Sequence, residues 1–119
     1  MIDQFLHKRY NKDTYNCAHF VSDIIEAGTG INARDTLNGF LLPAKERTAQ
    51  ISIKDKLRRI DKPVDYCIVL MTRRSHTPHV GVYIGGKVAH ITEDLGAHMV
   101  PLFMASIGFD RARFYKCLP

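Results

Sequence analysis

The sequence predicts a single α+β domain, with helices first and an antiparallel sheet after them, on three observations. Apolar residues recur at helical spacing over residues 17–27. From residue 64 onward the period shortens to that of strands. Gly85-Gly86 sits between two such strands, where a two-residue hairpin turn belongs. At 119 residues, 1–119 is one domain, large enough to bury a core without staples, and its 45% apolar and 24% charged composition is that of a globular protein.

Taken in order, "IDQFLHKR" (2–9) supplies a helical turn or two. In "YNCAHFVSDIIEAGTG", Asn16 is a good N-cap because its side chain can accept a bond from a backbone N–H that the helix leaves unpaired. Cys17, Phe20, Val21, Ile24 and Ile25 then fall on one face, so Cys17 sits in the first turn of a helix over 17–27, on its core side, with His19 turned away. Gly28 and Gly30 are expected to stop that helix. Residues 31–62 are the least legible: "NARDTLNGFLLP" reads as a loop, a candidate cleft wall, and "ISIKDKLRRI" has helical spacing at Ile53, Leu57 and Ile60. Pro63 ends that segment.

Five strands follow. "YCIVLMT" (66–72) is central, "HVGVYI" (79–84) and "KVAHI" (87–91) form the hairpin, "AHMVPL" (97–102) is an edge strand marked by Pro101, and "RARFYKC" (111–117) closes the sheet, with "MASIG" a brief helical turn before it.

Composition narrows the function classes. No apolar run reaches membrane-spanning length, and "MIDQFLHKRY" lacks the core of a secretory signal, so the expected setting is a cytoplasm or carriage within a particle. Cys17, Cys67 and Cys117 cannot all pair within one chain and read as free thiols. The net charge of +5 and pI near 9.3 come from short basic clusters without interleaved aromatics, and no nucleic-acid-binding motif accompanies them.

The hairpin register carries the chemistry. With Gly85-Gly86 as the turn, Ile84 faces Lys87, Gly81 faces His90 and His79 faces Thr92. Alternation then puts His79, Gly81, Tyr83, Val88, His90 and Thr92 on one face, with Val80, Val82, Ile84, Ala89 and Ile91 on the other. His79 and His90 become diagonal neighbours, roughly 7–8 Å apart in backbone, with Gly81 leaving room between them. A thiol at a helix N-terminus beside an imidazolium has its pKa lowered by several units. Cys17 is thus the expected nucleophile, His79 its base, and His90 the group that orients His79. The backbone N–H of Cys17, with Tyr10 or Tyr15, is expected to meet the oxyanion. A zinc site would need Cys17, His79 and His90 to converge with a fourth ligand; no short-spaced ligand pair is present, and no metal or cofactor is expected. Cys67 and Cys117 are assigned to packing, and His19, His76 and His98 to structure or surface.

"NCAHFV" followed by "HVGVYIGGKVAHI" resembles the NlpC-type cysteine peptidase superfamily, a compact papain-like fold. The likeness covers residues 16–27 and 64–92, more weakly "ARFYKC", and leaves 31–62 without a counterpart. It implies helices packed on an antiparallel sheet of about five strands, a Cys17-His79-His90 triad, and hydrolysis of an amide bond in peptidoglycan stem peptides. The wording is similar to short members encoded in phage tail regions, which implies a virion-associated setting with tail or other assembly proteins as partners. "NCAHFV" also resembles the cysteine box of lecithin-retinol acyltransferase-like proteins, where the histidine hairpin precedes the cysteine helix. A thioester-forming acyltransferase or phospholipase, and a catalytically silent assembly module, are the alternatives.

Overall fold

The computed structural model describes residues 2–34, 36–37, 56–76 and 78–119. A short 3-10 helix (Ile2–Phe5) leads to helix α1 (Cys17–Thr29), then strands β1 (Leu57–Ile60), β2 (Ile68–Thr72), β3 (His79–Ile84), β4 (Lys87–Thr92) and β5 (Gly96–Pro101), a one-turn helix α2 (Leu102–Ala105), and β6 (Arg111–Cys117). The strands form one sheet in the order β1-β6-β2-β3-β4-β5, every pair antiparallel. The α+β class expected from the sequence is therefore present, with six strands rather than about five.

The extra strand is β1, and it corrects the helical reading of "ISIKDKLRRI". Its first part, 51–55, lies outside the described residues, as do 38–43 of the expected loop, but Leu57–Ile60 pairs with β6 from Leu57↔Cys117 to Ile60↔Phe114. A four-residue segment with two apolar positions buries little as a helix. The exposed edge of β6 offers it a row of unpaired backbone N–H and C=O groups instead.

Helix α1 starts and stops by local rules. Asn16 is its N-cap, and Gly30, in the left-handed conformation at φ 78°, is its C-cap, with its N–H bonded to Glu26 O at 2.8 Å. Gly28 does not stop the helix as expected. It lies inside, and a Cβ there would overlap the Tyr66 ring, so the bare position serves packing. Phe20, Val21, Ile24 and Ile25 are fully buried against Ile68, Leu70, Val80, Val82, Ala89 and Ile91 from one face of the sheet. A second, smaller core on the opposite face gathers Val69, Met71, Val88 and Ala105, with Phe109 and Phe114 packed at its margin.

The hairpin register matches the derivation at Ile84↔Lys87, Tyr83↔Val88 and Val82↔Ala89, closed by Gly85 and Gly86 at φ 58° and 86°. β5, ending at Pro101, is an edge strand, and β2 is central. No helix among the described residues is long and apolar enough to cross a membrane.

Candidate functional site

The site begins at the first residue of α1. Asn16 Oδ1 accepts from the backbone N–H groups of Ala18 (3.0 Å) and His19 (3.4 Å), and His19 Nδ1 accepts in return from the Asn16 N–H (3.1 Å). This reciprocal capping box uses a histidine where glutamate or glutamine is usual, which gives His19 a structural role bracing the entry to the helix. Asn16 thereby fixes the backbone that carries Cys17.

Cys17 is 6% exposed. The backbone N–H groups of Val80, Ala18 and Cys17 itself favour the thiolate, but burial outweighs them and pushes the thiol above its ordinary range. This corrects the expectation of a thiol ionised at rest by the helix terminus. Desolvation of a thiolate at a nearly sealed position costs more than one helix end returns. Cys67 and Cys117 are also buried, their thiols pushed up first by burial, that of Cys117 to about 11.

His79 begins β3, and its ring reaches His90 on β4. His79 Nε2 and His90 Nδ1 lie 2.9 Å apart, with ring centroids at 5.1 Å and planes crossing at 66°. Gly81 makes room as expected: a Cβ there would meet Val88 Cγ1 at 2.5 Å and His90 Cβ at 3.3 Å. Phe109 stacks nearly parallel on His79, with centroids 6.0 Å apart. Both imidazoles are pushed below their ordinary value. Burial is the first cause for each, followed by the charge of His98 at His79, and of His79 and then His98 at His90. Neutral rings therefore face a neutral thiol.

Cys17 and His79 meet in one cleft of about 530 Å³, walled also by Tyr10, Lys12, Asn16, Pro78, Ile91, Thr92 and Glu93. Among the described residues no hydrogen bond joins Cys17 to His79; what they share is the cleft. With Nε2 of His79 taken by His90, Nδ1 is the nitrogen left for proton transfer.

The two tyrosines separate. Tyr10 lines the cleft, and its phenol is raised by burial and then by negative charge on Cys17, Glu93 and Asp13. Tyr15 turns away, donating its hydroxyl to Asp23 Oδ2 at 2.8 Å and stacking on His19, and its phenol is raised by burial and by that carboxylate. Of the expected oxyanion tyrosines, the structure brings only Tyr10 to Cys17.

Sequence reasoning missed Lys12, Thr92 and Glu93 as cleft residues and His98 as a neighbour of His90. His98 lies directly opposite His90 in the β4–β5 register, with ring centroids 4.2 Å apart. Its signal was present in the three-residue turn over 93–95, which pairs Thr92 with Gly96 and hence His90 with His98. Among the described residues, no group of three or more His, Cys, Asp or Glu side chains is arranged to hold a metal ion. No protein-family model matches this chain, and no curated protein matches it.

Proposed function

We propose that the chain is a cysteine hydrolase of papain-like, NlpC-type architecture that cleaves an amide bond through Cys17, His79 and His90. One observation carries this reading: Cys17 and His79 wall the same cleft while His90 holds the far nitrogen of His79 at 2.9 Å. The proton of the Cys17 thiol passes to His79 Nδ1 as the sulfur attacks the carbonyl carbon of the substrate. The Cys17 N–H and the Tyr10 hydroxyl donate to the oxyanion. As the tetrahedral intermediate collapses, the C–N bond breaks and His79 returns the proton to the leaving amine. Water, deprotonated by His79, then hydrolyses the thioester and restores the thiol.

Because burial favours the neutral pair, the thiolate forms as substrate excludes water and carries its carbonyl toward the donors, rather than standing ready in the empty cleft. Lys12, Thr92 and Glu93 place polar and charged groups in a cleft whose lining is otherwise mainly apolar, so the preference for a peptide substrate rests on the cysteine box and hairpin rather than on the walls. The resemblance of the cysteine box and hairpin supports a peptidoglycan stem peptide as that substrate and a phage-tail or prophage setting.

The test is the rate of iodoacetamide alkylation at each cysteine from pH 5 to 10, read by peptide mass mapping, with muropeptides and phospholipids offered in parallel. Cys17 is expected to label faster than Cys67 and Cys117, to lose about tenfold or more in rate in His79→Ala, and to support muropeptide cleavage that Cys17→Ala abolishes. Labelling of Cys17 that is unchanged by His79→Ala, with neither substrate turned over, would leave a silent module. Turnover of the lipid ester alone would transfer the site to acyl-thioester chemistry.

A further inference from the structure

The contact between His79 and His90 holds one proton between two nitrogens, and where that proton sits decides whether His79 is a base. A neutral imidazole carries a single N–H. If His79 Nε2–H donates to His90 Nδ1, the Nδ1 lone pair of His79 is free to take the proton of the thiol. His90 must then carry its own proton on Nε2. If His90 Nδ1–H donates instead, the proton of His79 moves to Nδ1 and the base is lost.

The productive arrangement has a cost. His90 is 7% exposed, and its Nε2 is buried without a hydrogen-bond partner among the described residues. In that arrangement a buried N–H is left without an acceptor, and this tautomer is disfavoured unless a neighbouring group accepts from it. The side chain packed on that ring from the neighbouring strand is His98, paired with His90 across β4 and β5, its centroid 4.2 Å away and its plane tilted by 51°. His98 Nδ1–H donates to Gly96 O at 2.9 Å, which leaves its Nε2 as a bare acceptor. α2, which packs on this face, presents no titratable side chain, and His7, Lys8, Arg9, Glu93 and Asp94 line an adjoining groove, which shares Tyr10 and Glu93 with the cleft of Cys17, together with Ala97, whose side chain lies on the other face of β5.

We propose that His98 is a positioning residue, accepting the N–H of His90 Nε2 after a small rotation of either ring and so selecting the tautomer that leaves His79 Nδ1 bare. The chain of rings then runs His79–His90–His98 across three strands, anchored at its far end on the Gly96 carbonyl. This inference deepens the hydrolase reading and rests on it for its catalytic meaning, while the tautomer of His90 is measurable without any reaction.

The experiment is imidazole ¹⁵N spectroscopy of the full chain at neutral pH, combined with Cys17 alkylation, in wild type, His98→Phe and His98→Gln. Phenylalanine keeps a ring without an acceptor, and glutamine restores an acceptor without a ring. Wild type is expected to show His90 protonated on Nε2. His98→Phe is expected to move that proton to Nδ1 and slow alkylation about tenfold, a partial loss of base assistance, and His98→Gln to restore both. A wild-type His90 protonated on Nδ1, or a pattern indifferent to His98→Phe, overturns the proposal. If His79→Ala leaves alkylation unchanged, the hydrolase reading falls while the nitrogen spectrum still decides the role of His98. If His79→Ala slows alkylation and the spectrum ignores His98, this inference alone falls.

Discussion

On the side of the sheet that faces α1, Val80, Val82, Ala89 and Ile91 are fully buried against Phe20, Val21, Ile24 and Ile25. On the opposite side, the alternate positions of the same strands carry His79, His90 and His98, with Val88, Val69 and Met71 beneath the one-turn helix α2. The first face is sealed by a thirteen-residue amphipathic helix, the second by a helix of four residues whose own Phe103 is 70% exposed, with Ile107 just beyond it at 71%. One face supplies stability, and the other holds titratable groups half out of water. The division follows from the two-residue period of a strand, which lets one hairpin serve both purposes at once. Cys17 belongs to the stabilising face by burial and meets the histidine face only where the cleft opens beside the start of β3.

That contrast predicts a ranking of effects. The largest belongs to the α1 face: Phe20→Ala deletes a fully buried ring and is expected to cost about 3–5 kcal/mol, measured as a lowered urea midpoint with an unchanged slope. A loss below about 1 kcal/mol would mean that α1 is not the chief support of the fold.

Acid reads the other face. His79 is held at about 4 and His90 at about 3, below the ordinary 6.5, by burial first. The unfolded chain takes up protons near pH 6.5 that the folded chain refuses until roughly pH 4, so the contribution is complete above 6.5 and is lost as the pH falls through this window. Each unit of depression is worth about 1.4 kcal/mol, and a fall of a few kcal/mol between pH 7 and pH 4 is expected in urea titrations. His90→Phe should flatten that slope; an equal slope in wild type and variant would show that the ring is not held neutral by the fold. The smallest effect is at the exposed rim: Ile107→Ser should shift stability by no more than about 0.5 kcal/mol. A larger loss, or a change in sedimentation, would show that this patch is covered in solution.

Much of this was legible before any coordinates, because it depends on neighbours in the chain. Asn16, the apolar spacing of 17–27, and the Gly85-Gly86 turn are local signals, and a two-residue turn leaves one register, which put His79 and His90 together with Gly81 between them. What sequence reading missed depends on distant pairing. β1 became a strand because β6, more than fifty residues later, had an open edge, although Leu57 and Ile60 keep a helical spacing. Tyr15 was lost to Asp23 one helix face away, and Tyr10 was kept, by the path of a segment with little regular structure.

By itself, then, the sequence determined the capped helix that carries Cys17, the hairpin that pairs its histidines, and the α+β class, since each rests on dihedral preferences and periodicity over a few residues. Only the tertiary structure decided how deeply Cys17 is buried, that its thiol is raised rather than lowered, and that His98 closes the row of rings. Desolvation and contact across strands depend on everything packed around a group, and no local stretch of chain carries that information.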